Sequence, residues 1–117
     1  MFRFEKLEVW NEARRFVKAI YKVSSRFPRE ERFCLTDQIR RAAISIVLNI
    51  AEGSDRKSDI DFRRFLRCAI GSLEEVVSCL YIANDLKYLD KRSFDKLYKK
   101  ANLLAAKLNA LVKAISQ

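Results

Sequence analysis

The hydrophobic pattern of the chain is centred on residues 38–53, QIRRAAISIVLNIAEG, where only Ser45 and Asn49 are polar between positions 42 and 51. At 3.6 residues per turn these positions point in every direction, so a helix here has almost no side suited to water. The segment is too short and too polar at its ends to span a bilayer. It therefore predicts a helix either at the centre of the subunit or at a seam between subunits.

Apolar residues that recur every three or four positions predict further helices on both sides of this segment. The first runs from Phe4 to Arg26. It ends before Pro28, because the residue that precedes a proline is pushed out of helical geometry. After a charged connection, the central helix runs to about Gly53, where we expect the helix to stop or bend.

The third predicted helix follows Ser58, which with Asp61 three positions later resembles a capping box, and it ends at about residues 86–87. It carries two adjacent apolar stripes and therefore needs two packing partners. Gly71 in its middle costs about 0.5–1 kcal/mol relative to alanine. We expect a close helix crossing at Gly71 and Ser72 to compensate for that cost.

A fourth helix is predicted after Asp90, a suitable N-cap, with one apolar stripe from Phe94 to Ile115 and lysines on the opposite side. The chain has only two glycines and one proline, the residues that most often mark turns, so the sequence favours long helices over β-hairpins. The pattern predicts an all-α protein, a single domain over residues 1–117, folded as an antiparallel up-down-up-down four-helix bundle.

Because the central helix has apolar residues on nearly all of its sides, we predict that several copies of the chain associate around it. The candidate residues of an oligomer or core seam lie on the second and third helices. Asn49 is one of them, because a buried amide at a seam position fixes register and partner number. The full set is Ala43, Ile46, Val47, Asn49, Ile50, Gly71 and Ser72.

Composition bounds the chemistry. The chain has 24 Lys and Arg against 15 Asp and Glu, a formal net charge of +9, which either attracts a polyanion or only aids solubility. Cys34, Cys68 and Cys79 form no CxxC pair and there is no histidine, which excludes a Cys-His zinc site and a histidine general base. We expect no catalytic residues, no cofactor and no metal.

The chain start has no apolar export segment, which predicts a cytoplasmic protein without a membrane anchor.

Arginines and lysines around the start of the third helix are the candidate nucleic-acid contacts. Arg63 and Arg67 lie one turn apart, and Arg64 could instead pair with Asp59 or Asp61. The alternative is a solvated surface with local ion pairs. The candidates are Arg40, Arg41, Arg56, Lys57, Arg63, Arg64 and Arg67.

Glu52 lies near a helix end whose partial charge is negative, which is unfavourable for a carboxylate. We therefore expect a cation beside it. Arg56, one turn later, is the local candidate, and Arg40 or Arg41 is the alternative.

Several spaced motifs resemble those of one bacterial family, the 23S rRNA-intervening-sequence proteins, which are small four-helix-bundle proteins. The matching stretches are FEKLEVW at 4–10, FPREE at 27–31, LTDQIRRAA at 35–43, NIAEG at 49–53 and AIGSLEE at 69–75. Val47-Leu48 depart from the family pattern, in which smaller or proline-containing pairs are common before the asparagine.

The resemblance implies a ring of identical subunits, and a pentamer is the form we expect. It also implies kinship with the accessory protein of diversity-generating retroelements, which engages a reverse transcriptase and RNA. It carries over no catalytic residues.

Two functions remain open at the level of sequence. The first is a non-enzymatic, basic, oligomeric module that binds RNA or DNA, whose phosphate contacts would be sensitive to salt. The second is a protein–protein scaffold or accessory subunit, for example for a reverse transcriptase, that does not itself bind nucleic acid.

Overall fold

Four α-helices form most of the computed structural model, which describes residues 1–115. They are α1 (Glu8–Ser24), α2 (Leu35–Ser54), α3 (Asp59–Asp85) and α4 (Lys91–Ile115). Residues 1–115 contain no β-strand, so the predicted all-α class with four helices is confirmed. The last two positions of the predicted domain lie outside the described residues.

Each helix packs beside the next one in sequence, and α4 returns to α1, in a body of 44 × 23 × 21 Å. Consecutive helices run in opposite directions. The guanidinium of Arg40, early in α2, donates from Nε to Ser24 Oγ at the end of α1, at 2.8 Å. Arg63, early in α3, donates from Nη1 to the carbonyl oxygen of Ile115 at the end of α4, at 3.4 Å.

The core is built from the apolar stripes that predicted the helices. Burial of these side chains supplies the main stabilisation, at roughly 25 cal/mol per Å² removed from water. The largest fully buried apolar side chains come from all four helices: Ile20, Ile39, Ile46, Ile50, Leu66, Leu73, Val76, Leu80, Leu104 and Leu108.

The first helix is interrupted near its start, so the predicted continuous helix from Phe4 to Arg26 is wrong there. A 3-10 helix covers Arg3–Lys6, Leu7 is extended, and α1 begins at Glu8. The side-chain amide of Asn11 donates to the carbonyl oxygens of Glu5 and Leu7, at 3.2 and 3.1 Å. The Glu5 carbonyl thus has a side-chain partner in place of the main-chain N–H that a continuous helix would offer.

Trp10 anchors this N-terminal 3-10 helix to α1. Its ring lies 4.8 Å from the ring of Phe4, centroid to centroid, and the guanidinium carbon of Arg14 lies 4.5 Å from its centroid. Its Nε1 is buried without a hydrogen-bond partner in the described part of the chain. The only tryptophan of the sequence thus joins two elements.

The predicted caps of α3 and α4 are confirmed. The main-chain N–H of Asp61 donates to Ser58 Oγ at 3.1 Å, and that of Ser93 donates to Asp90 Oδ1 at 2.8 Å. Between the two helices, Lys87 has a left-handed backbone conformation, with φ of 65°. This residue reverses the chain direction just after α3 ends.

The close approach between helices that was predicted at Gly71 occurs at Gly53 instead. Gly71 is exposed, and a Cβ atom built on it would meet nothing within 4 Å, so the expected close crossing at Gly71 is wrong within the subunit. α2 ends at Ser54, one residue after the predicted end at about Gly53. Gly53 is also a point of close approach between helices, where a Cβ atom would lie 2.7 Å from the Cβ of Phe65.

The seam residues of α2 are buried to different degrees. Ala43, Ile46 and Ile50 are fully buried, whereas Val47 and Asn49 are half-buried. The subunit does not cover the whole central segment, because the Leu48 side chain is 61% exposed.

Polar seam residues link α2 to α3 through a short hydrogen-bond chain. The side chain of Asn49 donates to the carbonyl and hydroxyl oxygens of Ser45 in its own helix, at 2.9 and 3.0 Å. The hydroxyl of Ser72 on α3 donates to Ser45 Oγ at 2.9 Å. The bond that crosses between the helices is therefore made by the serines, not by the asparagine.

Candidate nucleic-acid interface

Two of the predicted nucleic-acid contacts meet around one ring at the junction of α2 and α3. The guanidinium carbons of Arg56 and Arg64 lie 4.8 and 5.7 Å from the centroid of the Phe65 ring. Each is also paired with a carboxylate: Arg56 with Glu52 at 3.4 Å and Arg64 with Asp61 at 3.2 Å. The predicted cation beside Glu52 is therefore Arg56, and both positive charges around this ring are compensated locally.

The remaining predicted contacts at this end are less concentrated. Arg63 is turned towards α4, where it binds the carbonyl oxygen of Ile115. Arg67 and Lys57 are exposed. This end of the bundle offers two open cations rather than a continuous basic surface.

The predicted contacts on α2 lie elsewhere. Fourteen residues of helix separate Arg40 from Ser54 at the end of α2, just before Arg56, which at 1.5 Å per residue is roughly 20 Å. Arg40 is held against α1, with its guanidinium carbon 4.5 Å from the Tyr21 ring centroid, and Arg41 approaches Asp37 at 4.0 Å. The seven predicted contacts therefore do not form one surface.

A groove between α1 and α4 gathers more uncompensated positive charge than the predicted cluster. It has a volume of about 230 Å³ and a floor of buried Val23 and Leu97. Four exposed cations line it, and no acidic residue does. These cations, here called the groove cations, are Lys22, Arg26, Lys96 and Lys100.

The carboxylates nearest in sequence to this groove are engaged by other groups. A hydrogen bond from Ser93 holds the pKa of Asp90 below its ordinary value of 3.8, and the charge of Arg26 lowers the pKa further. Asp95 pairs with Lys91 at 3.2 Å. The charge of Asp95 is thus directed to a cation outside the groove lining, whereas Asp90 acts on Ser93 and Arg26, which belong to the lining.

Acidic side chains of the same helix pair lie at the other end of the bundle. Lys107 on α4 binds Glu12 and, at 3.1 Å, Glu8 on α1. The hydrogen bond to Glu12 raises the pKa of Lys107 above its ordinary value of 10.5, and the hydrogen bond to Glu8 makes the next largest contribution. Charge along the α1/α4 face is thus segregated, with compensated pairs at one end and the groove cations at the other.

Sequence reasoning missed this groove, although a signal for it exists. Lys18, Lys22 and Arg26 recur at intervals of four at the end of the first helix, and Lys96 and Lys100 do so near the start of the fourth. In a closed antiparallel bundle the end of α1 lies beside the start of α4. The two runs become one surface only when that closure is known.

Within residues 1–115, no group of three His, Cys, Asp or Glu side chains is arranged to hold a metal ion. No helix of this part of the chain is long and apolar enough to cross a membrane.

Comparison with known proteins gives a consistent result. The sequence profile of the 23S rRNA-intervening sequence protein family matches residues 5–110. A crystal structure of a protein of unknown function from the S23 ribosomal protein family of Bacteroides thetaiotaomicron superposes with a TM-score of 0.83. The two chains are 22% identical, and the match covers 90% of this chain and 98% of that one. None of the curated proteins matches the sequence.

Proposed function

This chain belongs to the 23S rRNA-intervening sequence protein family, and from that premise we propose that it is a non-enzymatic module that binds RNA through the α1/α4 groove. The observation that carries the proposal is the convergence of the four groove cations without an acidic side chain in the lining. Cations that are not compensated by the protein are available to phosphates.

The binding would depend on the phosphate backbone. Each lysine or arginine that neutralises a phosphate releases a condensed counterion, so the affinity falls steeply with salt. The four cations come from two helices, which allows them to follow a backbone that runs along the groove. Contacts of this kind position the protein without reading sequence.

The proposal includes a homo-oligomeric ring, a pentamer by resemblance to the family, in the cytoplasm. Leu48 belongs to the apolar central segment of α2, yet its side chain is exposed in the single subunit, which supports association of copies. A ring repeats the groove in each subunit, and linked weak sites reach an avidity that one site lacks.

The alternative is an accessory subunit for another protein, such as a reverse transcriptase, to which the family resemblance gives a precedent. The exposed apolar side chains Tyr21 and Leu48 favour a protein contact of some kind. This alternative predicts that the purified protein does not retain RNA even at low salt.

The test compares two double variants with the same change in charge. Lys96→Glu with Lys100→Glu alters the groove, and Arg63→Glu with Arg67→Glu alters the cluster predicted from the sequence. In filter-binding titrations of a labelled RNA over a salt series, we expect the groove variant to lose at least about tenfold in affinity. Its salt slope should fall by about 2, because one phosphate contact corresponds to a slope of about 1.

The second variant is the matched control for net charge. Equal losses in both variants would reduce the binding to a general charge effect, and a larger loss in the Arg63 and Arg67 variant would move the site to α3. No binding at low salt would end the RNA proposal. Circular dichroism of both variants verifies that the helices are retained.

A further inference from the structure

A second groove, between α1 and α2, is apolar at its floor and basic at its rim. It has a volume of about 550 Å³ and a floor formed by Val17, Ile44, Val47 and Leu48. Leu48 is 61% exposed, and the neighbouring Tyr21 is 39% exposed. Three cations and no acid belong to the lining: Arg14, Arg15 and Lys18.

Two cations, one in the groove lining and one beside the lining residue Tyr21, are held in place by aromatic rings. Arg14 lies over Trp10, and Arg40 lies over Tyr21. Arg40 is fixed further by its hydrogen bond to Ser24 Oγ. Their positions therefore need little ordering when an anionic surface arrives, which lowers the entropic cost of binding.

The second half of α3 carries the opposite combination. Residues 68–86 contain three acids, Glu74, Glu75 and Asp85, and no lysine or arginine. All three are exposed, as are the apolar side chains of Ile82, at 48%, and Leu86, at 50%. We call this surface the α3 strip.

We propose that the α3 strip of one copy docks in the α1/α2 groove of the next copy. The inference deepens the proposed homo-oligomer, on which it rests, by naming its two faces. Both faces pair an exposed apolar centre with charge, and the charges are of opposite sign. An acidic rim against a basic rim favours this pairing and disfavours groove against groove, which would bring like charges together.

The two faces belong to different sides of the molecule, because α3 has no contact with α1. Their union is therefore heterologous: each copy offers one groove and one strip. Repetition of such a contact closes a ring if the rotation allows it and otherwise extends a filament. An acidic amphipathic helix of another protein would have matching chemistry, but the strip of the same chain is already present at equal concentration.

The test uses two variants that each disable one face. Lys18→Glu with Leu48→Glu disables the groove, and Glu74→Lys with Ile82→Lys disables the strip; all four positions are exposed, so the fold is retained. By light scattering the unaltered chain should exceed 13.7 kDa, and each variant alone should have the mass of a single chain. Ile60→Lys, at an exposed position outside both faces, should not change the mass.

Mixing the two variants gives the decisive result. The intact strip of the groove variant meets the intact groove of the strip variant, so an equimolar mixture should exceed 13.7 kDa although neither variant does so alone. A mixture that stays monomeric, or variants that still assemble alone, would overturn the pairing of faces. An unaltered chain that is itself monomeric, and gains mass only with an added acidic amphipathic peptide, would overturn the second copy as occupant. None of these readings requires RNA, so they stand apart from the RNA proposal.

Discussion

Gly53 on α2 lies against Phe65 on α3 so closely that a Cβ atom on the glycine would be 2.7 Å from the Cβ of the phenylalanine. The Cδ1 atom of Phe62 would be 3.1 Å away from the same Cβ atom. Because a Cβ atom is fixed to the backbone, no rotation of the Phe65 side chain can relieve the first contact. The end of α2 and the start of α3 can therefore be this close only with glycine at position 53.

Gly53→Ala should destabilise the protein. The added methyl group forces the two helices apart, and overpacking of this kind costs about 1–3 kcal/mol. Urea unfolding followed by circular dichroism should show a lower midpoint at an unchanged slope. A midpoint equal to that of the unaltered chain would mean that α2 and α3 shift apart without cost.

Gly71→Ala is the matched control, because the site is exposed and helical, with open space around it. Alanine restricts the unfolded chain and favours the helix, which should stabilise the protein by about 0.5–1 kcal/mol. The same urea titration measures the change. A loss of stability would instead indicate that another molecule approaches the backbone at Gly71.

Removing the hydroxyl of Ser45 should weaken the link between α2 and α3. Ser45→Ala takes the acceptor from both the Ser72 hydroxyl and the Asn49 amide, and we expect a loss of about 1 kcal/mol. A double-mutant cycle with Ser72→Ala, read by urea unfolding, isolates the bond between the serines. Strictly additive effects of the two substitutions would show that this bond contributes nothing.

Asp90→Asn should flatten the loss of stability in acid. The pKa of Asp90 is lowered by its hydrogen bond with Ser93, so this carboxylate stabilises the fold above its unfolded pKa, and that contribution is lost as the pH falls below about 4. Asparagine also caps helices but does not titrate. Melting temperatures of both proteins from neutral to acidic pH test this, and parallel curves would contradict it.

The three cysteines should differ in reactivity. Cys34 and Cys68 are exposed, whereas Cys79 is buried, and burial together with the charge of Glu75 raises its pKa. Because the thiolate is the reactive form, a thiol reagent should modify Cys34 and Cys68 in the native protein. Cys79 should react only after unfolding, as mass spectrometry of the modified sites would show. Rapid native modification of Cys79 would reveal local opening of α3.

The helices and their caps could be predicted from the sequence because both depend on local spacing. The apolar repeat places Ile46 and Leu80 in the core, and the polar side chains of Ser58 and Asp90 mark the helix starts. The break at Leu7 escaped prediction, because it depends on a side-chain hydrogen bond that competes with the helix. The spacing of apolar residues carries no information about this kind of competition.

The glycines and the basic groove show what local spacing leaves out. A stripe tells which residues share a helix face, but not how close two backbones come, so Gly53 and Gly71 could not be told apart. In the same way, Lys22 and Lys100 are 78 positions apart in sequence and meet only when α4 closes on α1.

Trp10 gives the unmodified protein a built-in optical probe. As the only indole, in contact with both Phe4 and Arg14, it makes emission report on one place in the molecule. If the 3-10 helix at the chain start lifted away while the four helices stayed folded, the emission maximum would move to longer wavelength before any helical signal was lost. Detachment of that segment and unfolding of the whole domain could then be followed separately in one sample.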